Sequence, residues 1–195
     1  MDLEQRRIKI ARIDELNDPY ELMGADLSDA TLRASFEVWR DQLAATRGIV
    51  CFSRKWSVPI MWSHYADRHR GIVLGFDVAE PFTISVTYAD ERERRMREIL
   101  QMSAEDAMIR ILGTKHRPWE YEDEVRLFCH LNLSDAGHSF QPFDETVVLR
   151  EVILGVRTTD ADIEAFRLLA AQIDPEVSVF RAGLSHDAFE VLRPA

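Results

Sequence analysis

Two short apolar runs, Ile49 to Phe52 and Ile72 to Phe76, enclose a segment that a simple connection does not account for. Turn residues bound both runs, which predicts two buried strands. Together they frame the stretch V-C-F-S-R-K-W-S-V-P-I-M-W-S-H-Y-A-D-R-H-R-G-I-V-L-G-F-D, Val50 to Asp77, and between the runs Trp56, Trp62, His64, Tyr65, Asp67 and His69 crowd together. A loop that only reverses the chain needs neither so many rings nor so many polar groups, so this stretch is the leading site candidate. An architectural account stands beside it: a short amphipathic helix, with Trp62 and Tyr65 plugging the core and His64 and His69 at its wet edge.

With 195 residues, 46% of them hydrophobic, the chain is long enough to bury a real core, and it reads as one domain over 1–195. No apolar run approaches the ~20 residues of a membrane span. The start M-D-L-E-Q-R-R lacks the apolar core of a secretion signal, so the expectation is a cytoplasmic protein without a membrane role. A net charge of -10 argues against a broad nucleic-acid footprint, because nonspecific affinity comes from neutralising phosphates with Lys and Arg. Cys51 and Cys129 sit in apolar runs without C-x-x-C spacing, which predicts buried, reduced thiols.

Ile8, Ile10 and Ile13 alternate with charges between Arg6 and Ile13, the period of a half-buried strand. Asn17-Asp18-Pro19-Tyr20 is turn chemistry. Leu32, Phe36, Trp39 and Leu43 recur at helical spacing between Asp29 and Ala45, with Ser28 or Asp29 as cap. Phe82 to Tyr88 alternates as a strand, and Asp90 to Leu112 reads as helix, restarting at Ser103 after the charge run E-R-E-R-R-M-R-E. Strands are expected at Glu124 to Leu131, at Val147 to Leu149 and at Val152 to Leu154, and again at Val177 to Phe180 and Phe189 to Leu192. A helix from Thr159 or Asp160 to Gln172 precedes the last two. Without regular β-α-β alternation, this pattern points to an α+β fold with a mixed or antiparallel central sheet and flanking helices.

A second constellation is W-E-Y-E-D-E-V-R, residues 119 to 126. If the strand runs back to Trp119, Glu120, Glu122 and Glu124 share one face and repel one another. Arg126, solvent, a cation or a positively charged reaction centre must then compensate. A carboxylate beside a sugar carbon with oxocarbenium character stabilises such a centre, whereas the plainer account is a solvated acidic strand entry. His64 and His69, five apart, lack the i, i+4 spacing that places two imidazoles on one helical face, so no metal is expected. Phosphate-loop, dinucleotide-fold and hydrolase-elbow motifs are absent from the sequence.

Taken together, N-D-P-Y-E-L (17 to 22), the stretch 51 to 77, W-E-Y-E-D-E-V-R-L-F (119 to 128) and E-V-I-L-G (151 to 155) resemble, in order, the bacterial family called domain of unknown function 2971. The layout more distantly resembles the ADP-ribosyltransferase fold. That resemblance implies an enzyme that takes NAD as substrate, cleaves the nicotinamide-ribose bond and passes ADP-ribose to a macromolecule, protein or nucleic acid, as toxins or phage-defence effectors do. It implies Glu124 as the catalytic carboxylate and Glu122 as positioner of the acceptor. Phe52, Ser53, Trp62, His64 and Tyr65 would line the nicotinamide pocket. Members usually begin with an L-Y-R-Y strand before N-D-P, whereas this sequence starts at Met1 just ahead of Arg6-Arg7, which makes Arg7 the expected grip on the diphosphate. The alternative is a non-catalytic nucleotide-sensing or partner-binding module of the same fold. A metal-dependent nuclease or hydrolase using His64, Asp67, His69 and the three glutamates ranks third.

Overall fold

The computed structural model describes residues 3–80, 83–93, 99, 101–132 and 137–194. Its chain contacts divide into two compact units. One comprises Met1–Ile8, Arg54–Pro81 and Pro142–Ala195, the other Lys9–Ser53 and Phe82–Gln141.

The second unit is built on a five-stranded sheet. Its strands are β1 (Arg7–Arg12), whose first two residues belong to the first unit, β2 (Arg47–Ser53), β4 (Thr83–Ser85), β7 (Glu124–His130) and β8 (Ser139–Pro142), whose last residue belongs to the first unit. They lie in the order β4-β7-β2-β1-β8, and the pairs β4/β7, β7/β2 and β2/β1 are antiparallel. Helix α1 (Ala30–Thr46) starts where expected, because the Asp29 side chain accepts the Leu32 amide at 2.8 Å. Its Trp39 and Leu43 pack against a core of Ile13, Leu22, Ile49 and Leu112, and Phe36 joins Ala25 and Leu27.

The strand expected over 82–88 is split. Phe82 lies outside the described residues, and at Val86 the chain leaves β4, so that β5 (Thr87–Ala89) pairs in parallel with β6 (Thr114–His116) instead. Helix α3 (Ala104–Leu112) begins at Ser103, whose hydroxyl accepts the Asp106 amide at 3.0 Å. Most of the charge run before it lies outside the described residues.

The first unit carries a three-stranded sheet, β10-β9-β3. The two strands expected over 147–154 form one, β9 (Val147–Leu154), which pairs antiparallel with β3 (Ile72–Val78) and parallel with β10 (Ser178–Arg181). Helix α4 (Asp160–Ile173) is capped by Thr159, whose hydroxyl and amide exchange bonds with Asp162. The buried core here is apolar: Leu149, Val152, Leu154 and Ala170 in one cluster, Trp62, Ile153, Ala182 and Val191 in another. β11 (Gly183–Leu184) and β12 (Val191–Leu192) form a small ribbon, while Phe189, expected at the start of the last strand, is fully exposed. The fold is α+β with mixed and antiparallel sheets, and no helix among the described residues is long and apolar enough to cross a membrane.

Candidate functional site

In the second unit, alternation along β7 aims Glu124 and Arg126 to one face, and Val125, Leu127 and Cys129 to the other. The strand does not run back to Trp119. With Pro118 in its first turn, Arg117–Glu122 winds as a 3-10 helix, and Asp123 closes it at φ 44. That left-handed step separates the three glutamates: the Glu120 side chain is 58% exposed, whereas Glu122 and Glu124 both turn inward and are buried. The common face expected for all three is therefore corrected to a pair.

Two further charges join them. β6 turns Lys115 inward, and the N-D-P-Y turn delivers Glu21. Asp18 builds that turn by accepting the Tyr20 amide with its carboxylate and the Glu21 amide with its carbonyl. Leu22 then sits fully buried at φ 59, which fixes the direction of its neighbour Glu21.

The Lys115 ammonium lies 2.5 Å from Glu122 Oε2, 2.9 Å from Glu124 Oε2 and 3.5 Å from Glu21 Oε2, and 5.0 Å from the centre of the Trp119 ring. Arg126 donates from Nε to Glu124 Oε1 at 2.8 Å and from Nη2 to Glu124 Oε2 at 3.2 Å. It also bonds Glu21, and gives Nη1 to the Leu112 carbonyl at 2.5 Å. The last bond satisfies an orphan carbonyl at the C-terminus of α3, where the helix dipole favours a cation. Three carboxylates face two cations, and all five side chains are at least nine-tenths buried.

The protonation of the site follows from this geometry. Burial alone pushes the Glu124 carboxyl up, but its bonds and charge contacts with Arg126 and Lys115 prevail and hold it at about 2. For Lys115 burial again opposes the charged form, and Glu124 and Glu21 reverse it, so the ammonium titrates above its usual range. The Tyr88 hydroxyl accepts the Glu124 amide at 2.7 Å, and burial followed by that carboxylate raises the phenol.

Register also fixes what lies across from the network. Ser53 pairs with Glu124 and Cys51 with Arg126, so both point to the network's face, while Phe52 opposes Val125 on the other side. Of the expected Phe52-Ser53 lining, only Ser53 shares that face. Cys51 is exposed rather than buried as expected, whereas Cys129 is buried as expected. Although solvent reaches Cys51, surrounding protein desolvates the thiol, and with Glu124 beside it this raises the pKa well above the ordinary value. Exposure describes its accessibility, and the raised pKa its weakness as a thiolate.

The aromatic stretch belongs to the first unit, as does Arg7 at the start of β1. Helix α2 (Pro59–Tyr65) buries Trp62, whose Nε1 donates to the Trp56 carbonyl at 2.6 Å. Tyr65 does not plug the core: helical spacing hands the inward position to Ala66, and Tyr65 stays 51% exposed, edge-on to exposed His64 at 6.0 Å. Asp67, Arg68 and His69 then follow one another at φ 43, 55 and 68. Three consecutive left-handed residues without a glycine are costly for L-residues, and other contacts must hold them. The Trp62 carbonyl accepts the His69 amide, and the His69 carbonyl accepts the Arg157 amide at 3.1 Å. A Cβ on Gly155 would stand 2.1 Å from that carbonyl, so the E-V-I-L-G glycine is required by the turn. His69 stacks on Trp62 at 6.1 Å and has Nε2 3.4 Å from Ser63 Oγ; burial, then Arg157, lowers its pKa. Among the described residues no group of three or more His, Cys, Asp or Glu is arranged to hold a metal ion.

Fold and site together define an α+β chain with a buried, nearly neutralised ion network built around the interior strand β7. Residues 61–127 match the model of a family described as Protein of unknown function (DUF2971). The match takes in the aromatic helix from Met61 onward, Lys115, Glu122, Glu124 and Arg126, and leaves Glu21 and Gly155 outside it. No curated protein and no solved structure matches the chain.

Proposed function

We propose that this protein is a nucleotide-binding module that senses its ligand without transforming it. One observation carries the reading: both carboxylate oxygens of Glu124 are engaged by cations of its own chain, Oε1 by Arg126 and Oε2 by Lys115 and Arg126. A carboxylate that stabilises an oxocarbenium-like carbon must present unneutralised charge to it. Freeing Glu124 would leave buried Arg126 and Lys115 undercompensated, a cost of roughly 3–5 kcal/mol for breaking such a pair. The ion network is then the rigid floor of the fold rather than its reactive group.

A second reading, an ADP-ribosyltransferase that cleaves NAD, is favoured by the register that sets Ser53 opposite Glu124 on adjacent strands. In that reading Glu124 supports the sugar cation, Glu122 positions the acceptor, and Ser53 bonds the nicotinamide amide.

One experiment separates the two. NAD is titrated into the protein by calorimetry while nicotinamide release is followed in parallel for wild type and Glu124→Gln. The module reading expects saturable binding with no release from either protein. Release by wild type that falls about a hundredfold in Glu124→Gln establishes the transferase instead.

A further inference from the structure

The second unit contains a cavity of about 230 Å³ lined by Tyr20, Met23, Gly24, Ala89 to Arg92 and Thr114 to His116. Ala89 and His116 are the last register pair of the parallel strands β5 and β6, so both strands deliver their C-terminal ends to it. Backbone also fastens Gly24 of the lining, whose carbonyl accepts the Glu93 amide at 2.7 Å beside an Ala25–Glu93 bridge.

Two of the lining charges are already committed. Lys115 is turned to the glutamates, and Asp90 accepts from Arg117 at 2.8 Å. Beside the exposed Asp90, a second set faces solvent. Tyr20 is 60% exposed, with the Arg92 guanidinium 5.0 Å from its ring centre, and Arg92 and His116 are themselves exposed. Glu91 stands in the same lining. An aromatic face, a guanidinium and an imidazole together suit a flat ring that carries an anion. Size narrows the class further, because the cavity is smaller than the roughly 300–1,000 Å³ of sites for drug-sized ligands. A cavity of this size takes one nucleotide, so a dinucleotide such as NAD would enter it with one half only.

We propose that this cavity binds a nucleoside monophosphate, with the base taking the place of the Arg92 guanidinium on the Tyr20 ring and the phosphate held by that guanidinium and His116. The inference rests on the binding-module reading and gives it a location and a ligand class. Lys115 belongs both to the cavity wall and to the ion network, so occupancy is felt directly by Glu21, Glu122 and Glu124.

The test uses the full chain and calorimetric titration with AMP, adenosine and ribose 5-phosphate to millimolar concentration. AMP is expected to bind, with adenosine and ribose 5-phosphate each about tenfold weaker or worse, since each lacks one half of the recognised chemistry. Tyr20→Ala and Arg92→Ala, both at exposed positions and checked for folding by circular dichroism, should each weaken AMP about tenfold. AMP affinity unchanged in both variants, or no AMP binding by wild type, overturns the proposal. Nicotinamide release from NAD by wild type sinks the module reading alone, because the AMP titrations judge the cavity independently.

Discussion

The second unit buries Lys115, Arg126, Glu21, Glu122 and Glu124, whereas the first buries Trp62, Ile153 and Leu154 and, among the described residues, no charged side chain. The first unit's unusual feature is in its backbone, the left-handed run Asp67-Arg68-His69 clasped by Arg157 and Gly155. One unit therefore depends on mutual neutralisation in a low dielectric, where every member is costly to remove singly. The other depends on apolar packing, with strain stored in a turn that surrounding bonds enforce.

The sharpest way to break that contrast is Arg126→Ala. It leaves Glu124 and Glu21 buried with only Lys115 to offset them, and it strips the Leu112 carbonyl of its donor. The expected loss is about 3–5 kcal/mol in urea unfolding, larger than for a typical single substitution. A loss below about 1 kcal/mol would mean that the network contributes little to holding the second unit together.

The next test is pH. Glu124 titrates at about 2 in the folded chain against an ordinary 4.5. A depressed folded pKa gives stability that is fully present above the unfolded value and lost as pH falls through the folded one. Wild type should therefore lose of order 3 kcal/mol from this group between about pH 4.5 and 2. Glu124→Gln should show a correspondingly shallower acid dependence when urea midpoints are compared across that range. Equal slopes in the two proteins would place the acid sensitivity in other carboxylates.

How far the sequence foretold this depends on the kind of signal each residue sends. Helix caps at Asp29, Ser103 and Thr159 and the apolar strands β2, β3 and β7 follow from local chemistry, and local chemistry is visible in a string. Arg126 was foreseeable as the partner of the glutamates because it shares their strand face. Lys115 and Glu21 were not, since one enters from a three-residue strand nine positions before Glu124 and the other from a turn that looks merely polar. A signal was present all the same: Glu21 sits in the N-D-P-Y-E-L motif, where a turn alone explains N-D-P-Y and leaves the glutamate unaccounted for. The common face of Glu120, Glu122 and Glu124 failed because Pro118 starts a 3-10 turn, and a period-2 reading cannot anticipate Asp123 in the left-handed region. The left-handed run at 67–69 was likewise hidden, because Asp, Arg and His carry no glycine to announce it.

That hidden run supplies the smallest and most discriminating prediction. Arg68 sits at φ 55 with its side chain exposed, and the contact it makes to Arg157 uses its backbone carbonyl, which any residue retains. Left-handed geometry costs an L-residue roughly 1–2 kcal/mol, a penalty glycine escapes. Glycine also loosens the unfolded chain, which returns about 0.4–1 kcal/mol of that gain. Arg68→Gly should therefore stabilise by up to about 1 kcal/mol, a rise of roughly 2–4 °C in Tm for a chain of this size. An exposed glycine substitution ordinarily destabilises, so the sign of the change is the readout. A lowered Tm would show that the Arg68 side chain, rather than the surrounding backbone bonds, keeps the turn in place.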